Sequence, residues 1–139
     1  RKLIKPELKR IVDACHKAGM IYEHHSCGFV EPIIPDLAEI GVDALDPIQA
    51  CNKNADKLKK EYGKKLTFVG GFNNQDAFER TDSTPEGIRA EYRRAGDWLA
   101  PGGSYVAFPM GVAYDLFAGP FVEEHLTYGM EFYKNPANR

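Results

Sequence analysis

With 139 residues, 43% of them apolar and 27% charged, the chain has the size and composition of one ordinary domain able to bury a core. A formal net charge of −2 argues against nucleic acid or a membrane surface as the main partner, and no apolar run approaches the roughly 20 residues that span a bilayer. Cys15, Cys27 and Cys51 form no even disulfide framework and no CxxC pair, which predicts reduced thiols and a cytoplasmic setting.

The chain opens on Arg1-Lys2, without a methionine and already approaching a helix, which predicts the carboxyl-terminal part of a longer polypeptide. Leu8, Ile11, Val12, Cys15 and Ala18 recur at three- and four-residue spacing and predict a helix over 6–18. A strand over 20–24 follows, then the polar turn His25-Ser26-Cys27-Gly28. Ile33, Ile34 and Leu37 predict a short helix over 32–40, and a second strand over 42–45 ends in Asp46-Pro47. A helix over 54–62 buries Ala55 and Leu58 beneath a solvated face carrying Lys53, Lys57, Lys59 and Lys60. The third strand, over 66–69, ends in Gly70-Gly71-Phe72-Asn73-Asn74. Thr84 caps a helix that starts with Pro85 and continues to Leu99. A fourth strand over 104–108 ends in Pro109-Met110-Gly111, and the segment 114–133 is helical in its second half.

The recurring plan is helix, glycine, short apolar strand, polar loop. It predicts an α/β fold of parallel strands joined by right-handed crossovers, in one domain over residues 1–139 with no linker. The architecture is either a small open sheet or part of a (β/α)8 barrel, of which four units are half. A half-barrel leaves its first and last strands with unpaired backbone edges, so the chain is expected to self-associate.

If the sheet is parallel, the strand ends converge on one mouth carrying His24, His25 and Cys27, then Asp46 and Gln49, then Asn73 and Asn74, and finally Met110. Alternation along the first strand puts Tyr22 and His24 on one side and Glu23 on the other. His25 and Cys27 are two residues apart, so both can reach one Zn2+, with the third ligand open among Cys51, Asp46, His24 and a segment outside the chain. Asp46, stiffened by Pro47, and His24 are the candidates for proton transfer; Gln49, Asn73, Asn74 and Met110 are candidates for binding substrate. Neither GxGxxG nor a P-loop pattern is present.

The ordered set His25-Ser26-Cys27-Gly28, Gly41-Val42-Asp43-Ala44-Leu45-Asp46-Pro47-x-Gln49, Tyr62-Gly63, Phe68-Val69-Gly70-Gly71 and Leu99-Ala100-Pro101-Gly102-Gly103 resembles the uroporphyrinogen decarboxylase superfamily. That superfamily includes methyltransferases linked to cobalamin and coenzyme M. The resemblance implies the carboxyl-terminal half of a TIM (β/α)8 barrel. In the methyltransferase branch a His-x-Cys pair and a later cysteine bind zinc; His25 and Cys27 match the pair, while the later position falls near Ser104 or Tyr105. The decarboxylase branch uses a Gly-His-Gly histidine where this chain reads Ala107-Phe108-Pro109-Met110-Gly111. The resemblance therefore favours methyl transfer or demethylation, with zinc at His25 and Cys27 and a corrinoid carried by a partner protein. Tetrapyrrole decarboxylation without a cofactor is the second expectation, and a non-catalytic ligand-binding relative the third. The isolated segment is expected to be inactive.

Overall fold

In the computed structural model, which describes residues 1–138, four short strands form one parallel sheet. They are β1 (Glu23–His25), β2 (Ala44–Asp46), β3 (Thr67–Val69) and β4 (Tyr105–Val106), hydrogen-bonded in the order β1-β2-β3-β4. His25 pairs with Asp46, Leu45 with Phe68, and Val69 with Val106. The helices are α1 (Ile4–Lys17), α2 (Ile34–Ile40), α3 (Ala55–Tyr62), α4 (Pro85–Leu99), α5 (Tyr114–Glu124) and α6 (Met130–Lys134).

Sequential order has a geometric consequence. Right-handed crossovers that never reverse direction place every connecting helix on the same side of the sheet. The core bears this out: Leu45 and Phe68, with Tyr105 beside them, pack against Val12 of α1, Ile34, Leu37 and Ile40 of α2, Ala55 of α3 and Leu99 of α4. A second cluster of Phe72, Phe78, Ile88, Tyr92, Ala95, Phe117 and Phe121 locks the segment after β3 to α4 and α5. The other face of the sheet, bearing Glu23, Asp46, Thr67, Val69 and Val106, carries no helix layer and opens as a groove. A singly wound parallel sheet of this kind is consistent with half of a barrel.

Several boundaries differ from those read in the sequence. α1 starts two residues before Pro6, because a proline in the first helical turn forfeits no intrahelical hydrogen bond. The first strand lies over Glu23–His25 rather than 20–24; Met20 and Ile21, apolar but mostly exposed, belong to its approach. A 3-10 turn (Glu31–Ile33) precedes α2, and a wide helical turn (Asn74–Phe78) that the sequence pattern did not predict follows β3. α5 begins at Tyr114, so the last segment is helical from its start. Lys59 is not on a solvated face: it is 7% exposed, its ammonium donates to the Gly103 carbonyl, and burial lowers its pKa.

Candidate functional site

The strand register sets the site. His25 and Asp46 end their strands as direct neighbours, and His25 Nδ1 lies 3.0 Å from Asp46 Oδ2. On its other side, His25 Nε2 lies 3.4 Å from Cys27 Sγ. The thiol, the imidazole and the carboxylate therefore form one line. Asp46 is buried at its inner end, while His25 and Cys27 face solvent. A carboxylate on Nδ1 fixes ring orientation and favours the tautomer whose Nε2 is free to accept a proton or a metal.

The turn carrying Cys27 is held from β2. Ser26 N–H donates to the Asp46 carbonyl at 2.8 Å, and Gly28 N–H donates to Gln49 Oε1 at 2.5 Å. Asn52, fully buried, uses both ends of its amide: Oδ1 accepts from Val30 N–H and Glu31 N–H, and Nδ2 donates to the carbonyls of Gly28 and Gln49. Sequence reasoning missed Asn52. No local signal separates it from Asn54, whose amide donates to the half-buried Glu31 carboxylate.

The other sequence candidates divide. Gln49, Asn73 and Asn74 line a separate cavity of about 270 Å3, together with Cys51, Lys53 and Phe72. His25, Cys27 and Asp46 do not line it. Part of the polar capacity of these side chains is spent on structure: Gln49 on Gly28, Asn73 as the cap of the turn that follows it, and Asn74 on the Met110 carbonyl. Met110 thus enters through its backbone. The Asn74 Oδ1 atom is buried and has no partner among the described residues.

His24 stands apart from the other candidates. Alternation puts it on the helix side, in a small cavity with Leu8 of α1 and Leu37 and Ile40 of α2, whereas Glu23 faces the open groove. The alternation read from the sequence, Tyr22 and His24 on one side and Glu23 on the other, holds, and the Tyr22 side is the helix layer. Burial, followed by the neighbouring His25 charge, lowers the His24 pKa. His24 therefore does not join the line of Cys27, His25 and Asp46.

The His25–Cys27 pair fits part of a zinc site. Nitrogen and sulfur ligands at about 2.0 and 2.3 Å from a tetrahedral ion stand roughly 3.5 Å apart, close to the 3.4 Å between Nε2 and Sγ. Asp46 then stands as the carboxylate behind the histidine. Among the described residues no three His, Cys, Asp or Glu side chains converge on one point. Tyr105, near the expected later position, turns to the helix-side core and donates to the Gly70 carbonyl at 2.7 Å.

No family model matches the chain, and no curated protein matches it. Among solved structures, a methyltransferase from Methanosarcina mazei shares its fold with a TM-score of 0.70 and 24% sequence identity. The likeness covers 96% of this chain and 36% of that one, so the chain spans about a third of its structural relative. The arrangement of parallel strands and helices described above is what the two have in common.

Proposed function

We propose that this chain supplies the His-x-Cys wall of a methyl-transfer site. The observation that carries the reading is the line Cys27–His25–Asp46, with Nε2 and Sγ at the separation a shared zinc ion requires. The fold it shares with a methyltransferase supports the same class of chemistry. A zinc ion held there would act as a Lewis acid, favouring the thiolate form of a substrate thiol as methyl acceptor. In this reading Asp46 orients the imidazole of His25, and Asn52 holds the Cys27 turn against β2. The methyl donor is a corrinoid presented by a partner protein, with Gln49, Asn73 and Asn74 lining a cavity apart from the Nε2–Sγ pair. The remaining zinc ligand comes from outside the described residues.

The test uses cobalt(II) as a coloured substitute for zinc in the purified chain. Thiolate-to-metal charge-transfer absorption is expected on titration, weak because the chain itself provides two ligands, and absent in Cys27→Ala. Asp46→Asn should weaken binding by about 10-fold or more, as the loss of an orienting carboxylate does elsewhere. Absorption unchanged by Cys27→Ala, or no absorption at all, would overturn the metal assignment.

A further inference from the structure

The line Cys27–His25–Asp46 has a second capacity, which requires no metal ion. His25 Nδ1 faces the Asp46 carboxylate at 3.0 Å, and Nε2 faces Cys27 Sγ at 3.4 Å. With Nδ1–H donating to Asp46, Nε2 carries the lone pair and stands in position to receive the thiol proton. Nucleophile, base and orienting carboxylate in hydrogen-bonded series are how a histidine activates a sulfur or oxygen atom for attack. Cys27 and His25 are exposed, whereas Asp46 is only 5% exposed. The reactive end of the line therefore meets solvent, and the anchoring end does not.

The surrounding backbone selects the electrophile. Attack on an acyl carbon needs free donors for the oxyanion that develops. Around Cys27, Ser26 N–H is spent on the Asp46 carbonyl, Gly28 N–H on Gln49, and Val30 and Glu31 N–H on Asn52. Attack on a disulfide puts the developing charge on a departing sulfur and needs no such donors. The same bonds fix the turn, so Sγ is presented on a held backbone. The other cysteines serve as internal comparisons, because among the described residues neither has an imidazole partner. Cys51 is also exposed, but its sulfur faces the Asn52 amide; Cys15 is half-buried on α1.

We propose that Cys27 is a nucleophile toward small organic disulfides, with His25 as its base and Asp46 as the positioning residue, and that the product is a mixed disulfide at Cys27. Sγ attacks one sulfur of the disulfide while its proton passes to His25 Nε2. One S–S bond forms as the other breaks, and the departing thiolate takes the proton from the imidazolium. Cys27 is oxidised, and one half of the small disulfide is reduced to a thiol. The step belongs to the metal-free pair and does not depend on methyl transfer.

The test is the reaction of the purified chain with dithiodipyridine at neutral pH, in the presence of a metal chelator. Thiopyridone release gives the rates, and acid quenching with peptide mass mapping locates the labelled cysteine. Cys27 is expected to react about 10-fold or more faster than Cys51. His25→Ala should slow Cys27 by about 10-fold or more and leave Cys51 unchanged, and free imidazole should restore the Cys27 rate selectively. Asp46→Asn should also slow Cys27 without changing Cys51. Where that variant fails to fold, His25→Ala, which alters a half-exposed side chain, carries the test. Equal rates at Cys27 and Cys51, an undiminished Cys27 rate in either folded variant, or no rescue by imidazole would overturn the proposal. The chelator keeps metal out of this reaction, so failure here and failure of the cobalt titration are distinguishable.

Discussion

Asn52 joins the turn after β1 to the turn after β2 with four hydrogen bonds at a fully buried position. Truncation leaves two N–H groups and two carbonyls to find other partners. Asn52→Ala should therefore cost about 2–4 kcal/mol, read as a lower urea midpoint at unchanged slope. Asn52→Asp should cost at least as much, because it sets a carboxylate against the carbonyls of Gly28 and Gln49. Asp36 contributes to acid stability. Asp36 accepts from Arg1 Nε at 2.6 Å and Lys5 Nζ at 2.8 Å, and these cations hold its carboxyl down at about 2. Because the folded value lies below the unfolded one, the stabilisation is complete above about pH 4 and is lost as pH falls towards 2. Thermal melts between about pH 5 and pH 2 should show a shallower acid decline for Asp36→Asn than for the parent chain.

At the scale of elements, most of the succession was legible because its signals are local. Thr84 accepts from Gly87 N–H and starts α4 at Pro85, as its residue types dictate, and the apolar periodicity through Leu99 gives the helix its length. The strands are two or three residues long, too short for alternation to set their phase. Met20 and Ile21 therefore shifted the bounds read for β1; the alternation of Tyr22 and His24 against Glu23 holds, but that their side is the helix layer was not legible. Neither the partnership of His25 with Asp46 nor the four bonds of Asn52 was visible, because both depend on register between segments about twenty residues apart. Packing between elements has its own test. Gly71 has φ +87°, and a Cβ there would overlap Leu99 Cδ1, whereas Gly102 has a similar φ of +80° and open space around it. Gly71→Ala should cost about 2–4 kcal/mol and Gly102→Ala about 1 kcal/mol, so the difference in unfolding free energy isolates the contact between the β3 end and α4.

The whole molecule has one covered face and one open face. β1 and β4 each have a single strand neighbour among the described residues, and Ile21, Val106 and Phe108 leave apolar surface on the open side. Exposed backbone edges beside apolar surface favour further strand pairing. Light scattering at micromolar concentration should give a mass above that of the 15.6 kDa monomer, and a monodisperse monomer would refute the expectation. Among the described residues no helix is long and apolar enough to cross a membrane.

The order β1-β2-β3-β4 also bears on how the sheet is built. Among the described residues each strand after β1 pairs with the one immediately before it in sequence. Loop-closure costs between successive strands therefore stay small. The His25 ring meets its carboxylate across the single pairing of β1 with β2, so the chemistry-bearing corner depends on one strand contact rather than on the whole sheet.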